Sequence, residues 1–356
     1  MCFMKVFLII PTLNQGGAER VMAELANQFI QYDNVEIHLV LLAKAEIFYH
    51  IDSRIIVHQL GFENKGSFQK KISELRTFRK LRALLRQHRP DSVLSFMDKY
   101  NVFTLLASAF TGTKVFVSER SNPHKKRTGQ MQLLRKYIYP YANGIIAQTE
   151  LAKAKLFSLT NHKNIKVIPN PVKEIKSFPE IKKENIIINV GRLVPEKGQK
   201  YLIDAFARIA PKEWKLVILG EGPLKEDLET QAITLNISDI VELPGAVKEV
   251  DWWLARASIF VFPSVSEGFP NALVEAMAAG LPCISFDCDS GPRDIIRNGE
   301  NGILLEVRDV EALKFNIEKM MNDEALRRKM GKNAKNVKRK FSSKSISKEY
   351  FTFITK

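Results

Sequence analysis

Four charged residues in the second half of this chain are spaced for work on an anionic, hydroxyl-rich ligand. Arg192 and Lys197 follow the apolar run IIINV in the segment NVGRLVPEKG. At that spacing a planar guanidinium and an ammonium can reach one ligand, a clamp suited to a diphosphate. Glu267 lies in a Ser/Glu/Gly loop after the apolar run IFVFP, and Glu275 follows eight residues later in SVSEGFPNALVEAMAAG. Pro270 and Gly280 punctuate that segment as the start and stop of a helix. Its N-terminus turns bare N–H groups and a positive dipole end toward the place where the strand stops, a ready anion site. Two carboxylates beside it point to a site that grips sugar hydroxyls next to a diphosphate.

Glycines mark two further turns. PTLNQGGAER places Gly16 and Gly17 at the start of a helix, where backbone can approach a phosphate without a Cβ in the way. A plain tight turn explains them equally well, and the segment lacks the G-x-G-x-x-G fingerprint. LGEGP (Gly220, Gly222, Pro223) is a tight strand-to-helix turn, either purely structural or a resting place for a base or ribose.

These groups need a scaffold, and both halves supply one pattern. Short apolar strands alternate with helical segments: KVFLII, VEIHLVLL, SVLSF, KVFVS, GIIAQ and IKVIP, then IIINV, KLVILG, IVEL, IFVFP, CISFD and GILL. Alternation of this kind predicts α/β architecture with parallel sheets. The 356 residues are long for one core and predict two domains. The Pro/Lys/Glu-rich run IPNPVKEIKSFPEIKKEN reads as a linker, so the expected domains are 1–170 and 171–340, with a last helix at about 341–356 packing back on the first. Two such domains would face each other across a cleft with their strand ends toward it.

Charge is uneven. Residues 1–172 hold 25 Lys/Arg against 12 Asp/Glu, a net +13 of the chain's +15. A basic half implies an anionic partner. Residues 65–89 carry nine Lys/Arg and one Glu, with Phe68, Ile72, Leu75, Phe78, Leu81 and Leu85 at helical spacing. Such a helix can pack one stripe on its own sheet and turn Lys70, Lys71, Arg76, Arg79, Arg82 and Arg86 to an anionic membrane surface or a lipid pyrophosphate. Residues 125–127 (Lys-Lys-Arg) and Arg135–Lys136 are expected to extend that patch.

Several classes are disfavoured. Three cysteines (Cys2, Cys283, Cys288) build no disulfide framework, which fits a reducing cytoplasm. The opening MCFMKVFLIIPTL has no cleavage pattern of an export signal, and no apolar run approaches membrane-span length. Asp287 and Asp289 form a D-x-D in the loop DCDSGPRD, read as a solvated loop or an acceptor contact and not a metal site. A nucleic-acid binder would explain the basic half, but no helix-turn-helix, RRM or zinc pattern accompanies it, so no nucleic acid is expected.

In this order GGAE, VGR…EKG, LGEGP, LPGAV and SEGFPNALVEAMAAGLPCI resemble the retaining glycosyltransferases of family 4, which have the GT-B fold. The resemblance spans nearly the whole chain and is most specific over residues 186–305. The run SFMDKYN…VSERSNP is similar to the subgroup that extends bacterial polyprenyl-linked glycans. The resemblance implies that Arg192 and Lys197 bind the donor diphosphate and that Gly16 and Gly17 approach the same phosphates. Glu275 would hold ribose hydroxyls, and Glu267 would lie against the donor sugar. Gly268, Phe269, Pro270 and Asn271 would line its pocket, and Leu273 and Val274 would offer N–H groups. It further implies a nucleotide-sugar donor, a UDP-linked hexose or N-acetylhexosamine, and a polyprenyl-pyrophosphate-linked acceptor. No metal or other cofactor would be needed, and the enzyme would work at the cytoplasmic face of the inner membrane. Asp98, Asn101, Glu119 and Arg120 would meet acceptor or donor sugar. Arg120 stands where the family often has a histidine, and His124 is displaced by four. The enzymatic alternative, a nucleotide-sugar epimerase of the same fold, would need a pair of acid/base histidines or carboxylates, and the six histidines form no such pair in the sequence.

Overall fold

The computed structural model describes residues 3–63 and 67–356, so Cys2, Lys65 and Gly66 lie outside the described residues. The chain forms two compact units, Met1–Pro171 with Ser343–Lys356, and Val172–Ser342.

In the first unit seven strands make one parallel sheet: β1 (Met4–Ile10), β2 (Val35–Ala43), β3 (Ile56–Phe62), β4 (Ser92–Phe96), β5 (Lys114–Ser118), β6 (Gly144–Ala147) and β7 (Ile165–Val167). Their order is β3-β2-β1-β4-β5-β6-β7. Strand β1 is apolar on both faces because both faces are covered. Val6, Leu8 and Ile10 pack with the helices Gly17–Phe29 and Ser343–Ile354. Phe7 and Ile9 pack on the side of the helices Ser67–His88, Asp98–Ser108 and Glu150–Thr160. Strand β3 escaped the sequence reading. It is an edge strand whose residues IVHQLGF are mostly exposed or half-buried, so the apolar run that betrays its neighbours is missing.

The second unit repeats the plan with six parallel strands: β8 (Ile186–Val190), β9 (Lys215–Leu219), β10 (Val241–Gly245), β11 (Ile259–Phe262), β12 (Cys283–Phe286) and β13 (Ile303–Leu305). Their order is β10-β9-β8-β11-β12-β13. Ile186 and Ile188 face one helical layer and Ile187 the other. The chain winds outward from β8 one way, then restarts beside it at β11. That reversal leaves a crevice at the carboxyl ends of β8 and β11, where ligands bind in open α/β sheets. In the first unit the same reversal falls between β1 and β4. Among the described residues no helix is long and apolar enough to cross a membrane.

Candidate functional site

The second unit gathers the charged residues of the sequence reading at its switch point. Strands β8 and β11 pair in parallel, so the loops leaving them emerge side by side. The first carries Arg192 and Lys197, the second Glu267. Lys197 Nζ lies 2.5 Å from Glu267 Oε1, with only 21% and 8% of the two side chains exposed. The loops are laced together by Val265 N–H donating to Glu196 C=O at 2.9 Å. Gly198 lets them come so close: its φ is +67°, and a Cβ there would lie 2.1 Å from the Pro263 carbonyl oxygen. Arg192 is exposed, and its guanidinium has no acidic partner among the described residues. One cation is therefore held by a carboxylate while the other stands open.

The LGEGP turn braces this loop from the β9 side. Leu193 N–H donates to Glu221 C=O at 2.9 Å and Leu224 N–H to Leu193 C=O at 3.1 Å. A Cβ on Gly220 would lie 2.0 Å from the Gly191 oxygen, and one on Gly222 would meet Leu193. Backbone packing alone thus demands both glycines.

Beyond Glu267 the chain enters the helix Asn271–Ala279, capped by Pro270 without a side-chain cap and closed by Gly280 at φ +86°. Val274 N–H already donates to Pro270 C=O at 3.2 Å, whereas Ala272 and Leu273 have no backbone acceptor among the described residues. The open donors of the first turn are thus one residue earlier than the Leu273/Val274 pair of the sequence reading. Phe269 is buried and packs edge-on to Phe341, while Gly268 accepts from Ser290 Oγ at 3.1 Å. Glu275 is half-buried within the helix's first turns. Behind Glu267, burial together with its carboxylate pushes the Cys288 thiol up to about 12. Burial also raises the Cys283 thiol, so both cysteines are inert core residues. Asp287 of the D-x-D holds Arg293 Nε at 2.9 Å.

At the first unit's switch point, Gly16 caps the helix Gly17–Phe29. The Tyr49 hydroxyl accepts from Gly16 N–H at 3.0 Å and donates to its C=O at 2.8 Å. Glu19's carboxylate occupies the space where a Gly16 Cβ would point. Tyr49 carried no signal in the sequence, because nothing local ties it to a turn 33 residues away. Across the switch point, Met97 is held at φ +75° before the helix Asp98–Ser108. Such a conformation is costly for a side chain with a Cβ and is found at ligand-handling edges.

The carboxylates after β4 and β5 belong to a buried network. Arg135 grips Glu119 in a fork, Nε to Oε1 at 2.5 Å and Nη2 to Oε2 at 2.8 Å. Arg127 bridges Asp98 (2.6 Å) and Glu119 (3.3 Å), and the Tyr139 hydroxyl donates to Glu119 at 3.1 Å. Although burial raises it, Arg127 holds the Asp98 carboxyl below its usual value. Asn101 is fully buried and donates to the Ser118 carbonyl and the Tyr139 hydroxyl. Arg127 and Arg135 therefore do not extend a surface patch as the sequence suggested: both are nearly closed to solvent, because buried carboxylates require fixed cations.

Arg120 stacks 4.1 Å over the Phe96 ring and donates Nη1 to the Tyr350 hydroxyl at 2.9 Å. Its Nε and Nη2 are closed to solvent and have no hydrogen-bond partner among the described residues. Burial lowers its affinity for the proton, partly offset by Tyr350. Tyr350 comes from the last helix, 230 residues away, and no local pattern could have revealed it.

The helix Ser67–His88 buries Leu81 and Leu85 on the sheet and leaves Lys71, Arg76, Arg79 and Arg86 exposed, with Lys70 half-exposed. Arg82 departs from the expected stripe: it is half-buried and donates Nη1 to the Ala107 carbonyl at 3.0 Å.

Comparison with known proteins shows the family and the fold. The family model for Glycosyltransferase Family 4 matches residues 15–174, and that for Glycosyl transferases group 1 matches residues 172–337. A Campylobacter jejuni protein named GalNAc-alpha-(1->4)-GalNAc-alpha-(1->3)-diNAcBac-PP-undecaprenol alpha-1,4-N-acetyl-D-galactosaminyltransferase is 28% identical, with 99% of this chain and 98% of that protein aligned. The capsular polysaccharide biosynthesis glycosyltransferase CapM of Staphylococcus aureus is 27% identical over 92% of both chains. Among solved structures, Anabaena Alr3699/HepE in complex with UDP superposes with a TM-score of 0.82 at 18% identity, covering 98% of this chain and 99% of that one, and shows the GT-B fold. Matched by two consecutive family models that together run from residue 15 to residue 337, this chain belongs to the group 1 and family 4 glycosyltransferases.

Proposed function

We propose that this glycosyltransferase moves a hexose or N-acetylhexosamine from a UDP-linked donor to a glycan carried on polyprenyl pyrophosphate, with retained anomeric configuration and without a metal. One observation carries the reading. The Lys197–Glu267 pair and the open Arg192 meet at the β8/β11 switch point beside an uncapped helix N-terminus. Arg192, Lys197 and the first-turn N–H groups of the helix stabilise the charge that develops on the departing diphosphate, the role a metal would otherwise take. Glu267 orients Lys197 and faces the donor sugar, with Gly268, Phe269, Pro270 and Asn271 lining its pocket. Glu275 accepts from ribose hydroxyls, and the Gly220 turn fixes the loop of Arg192. In the first unit, Gly16, Gly17 and Arg120 meet phosphate or sugar at that unit's own switch point. Asp98 and Glu119 act through the arginines they hold.

The acceptor hydroxyl oxygen attacks the anomeric carbon on the face the diphosphate leaves. The carbon–oxygen bond to phosphate breaks, and a diphosphate oxygen takes the hydroxyl proton. No side-chain base is needed.

The acceptor class rests on the name of the Campylobacter relative and on the basic helix Ser67–His88. There Lys70, Lys71, Arg76, Arg79 and Arg86 suit a lipid pyrophosphate or the anionic head groups around it, which supports a peripheral location at the cytoplasmic face of the membrane. The test offers a panel of nucleotide sugars with polyprenyl-pyrophosphate glycans and follows nucleotide release. Arg192→Ala should lower turnover by about 10²–10³. Near-normal turnover in a folded Arg192→Ala enzyme overturns the assignment.

A further inference from the structure

The two faces of the first unit's sheet are dressed differently. On one side lie the helices Gly17–Phe29 and Ser343–Ile354, with three basic and three acidic residues between them. Among the described residues they expose no large apolar side chain. On the other side lie Ser67–His88, Asp98–Ser108, Gly129–Ile138 and Glu150–Thr160, with twelve Lys/Arg against three Asp/Glu; of the twelve, Arg135 is buried against Glu119 and Arg82 is half-buried, and the rest serve the surface. All three acids are ion-paired, Glu74 with Lys99 at 2.8 Å, Asp98 with Arg127 at 2.6 Å and Glu150 with Lys153 at 3.8 Å.

This basic layer also turns large apolar side chains outward. Leu133 and Tyr137 project from Gly129–Ile138 at i, i+4 spacing, and Tyr141 follows in the turn that ends it. Tyr137 and Tyr141 are 61% and 79% exposed. The opposite stripe of the same helix, Met131, Leu134 and Ile138, packs on the core, so the outward residues are surplus to folding. Phe157 is exposed on the neighbouring helix. Phe110, just past Asp98–Ser108, is fully exposed and held at φ +61°, a conformation that bulky residues seldom adopt. Lys136 Nζ lies 5.7 Å from the centre of the Tyr137 ring, a cation at the rim of an aromatic.

We propose that this four-helix face is a membrane-docking surface that inserts Phe110, Tyr137 and Tyr141 at the head-group level of an anionic phospholipid bilayer. The proposal rests on the lipid-linked acceptor of the function reading and names the surface that brings the enzyme to it. Aromatic rings with polar tips favour the water–lipid boundary, and surrounding lysines and arginines are drawn to anionic head groups. Apolar insertion supplies a salt-independent share of the binding and the basic residues a salt-dependent one.

The test is co-sedimentation of the full chain with phosphatidylglycerol/phosphatidylcholine vesicles at low and high salt. The variant Phe110→Asn/Tyr137→Ser/Tyr141→Ser, its fold checked by thermal melting, should bind at least about tenfold more weakly at both salt levels. Arg76→Gln/Arg79→Gln should weaken binding at low salt and leave high-salt binding unchanged. Unchanged binding of the triple variant overturns the proposal, as does equal wild-type binding to pure phosphatidylcholine. So does a wild-type dimer in solution that the triple variant dissociates, because the face would then be occupied by a second copy. Turnover on a short, detergent-soluble polyprenyl-pyrophosphate acceptor should be unaffected in the triple variant. Failure of the function reading would instead appear as no turnover in the wild type, whatever the vesicles show.

Discussion

The Lys197–Glu267 pair lets structural and catalytic roles be separated in one experiment. Glu267 keeps only 8% of its side chain exposed and Lys197 21%, so the carboxylate is the partner that cannot recover water if left alone. Lys197→Met preserves chain length and strands that carboxylate. Breaking a buried pair from one side costs roughly 3–5 kcal/mol, and the residual exposure of Lys197 places this pair near about 3 kcal/mol. For a unit of this size, that lowers its melting temperature by about 6–12 °C. Glu267→Gln should cost less, about 1 kcal/mol, because the ammonium can turn to water. The double variant Lys197→Met/Glu267→Gln should return to within about 1 kcal/mol of wild type, since no unpaired charge stays buried. Activity should not return with it: nucleotide release, measured well below every melting temperature, should stay down by about 10²–10³ in Lys197→Met and in the double variant. If the double variant regains both stability and turnover, the pair is structural and the reasoning fails.

Further expectations are more local. Gly198→Ala puts a Cβ against the Pro263 carbonyl at φ +67° and should destabilise by more than about 2 kcal/mol while separating the Lys197 and Glu267 loops, read as a lower unfolding midpoint together with lost turnover. Tyr350→Phe keeps the ring but leaves Arg120 Nη1 only its long 3.4 Å bond to Ser118 Oγ, so denaturation should show a loss of about 1–3 kcal/mol. Stability should also depend on pH through the stacked histidines of the first unit. His38 donates or accepts at 2.8 Å with His58 and at 2.7 Å with Glu36, and His88 packs edge-on to it, with Lys5 near by. Burial holds both His38 and His58 below their usual value of 6.5, with Glu36 partly opposing this at His38. The unfolded chain then binds more protons, so the contribution is complete above about pH 6.5 and is lost as pH falls below it. Glu36, lowered chiefly by its hydrogen bond to His38, adds stability that disappears only at more acid pH. Urea midpoints of wild type and His58→Gln across this range should converge as the pH falls; parallel curves would refute the coupling.

How much of this was legible before folding depended on sequence distance. Strands buried on both faces, such as β1 and β8, announce themselves as unbroken apolar runs, whereas the edge strand β3, with His58, Gln59 and Gly61, does not. The resemblance singled out Asp98 and Glu119 as sugar contacts, but their partners Arg127 and Arg135 looked like surface charge. A buried ion pair and a solvated one use the same letters, and only packing separates them.

The sequence by itself determined the alternation of strand and helix and the glycines that permit tight turns. It also determined the charged residues that follow β8 and β11. These are local properties, set by steric freedom and by the periodicity of apolar residues. Tertiary structure alone decided that Lys197 is held by Glu267 while Arg192 stays open, because that depends on two loops 70 residues apart emerging from adjacent strands. It likewise decided that Tyr49 pins Gly16, that Tyr350 steadies Arg120, and which face of the first sheet turns its aromatics outward. Such contacts arise only when sheet order brings distant segments together, and no local pattern of residues encodes that order.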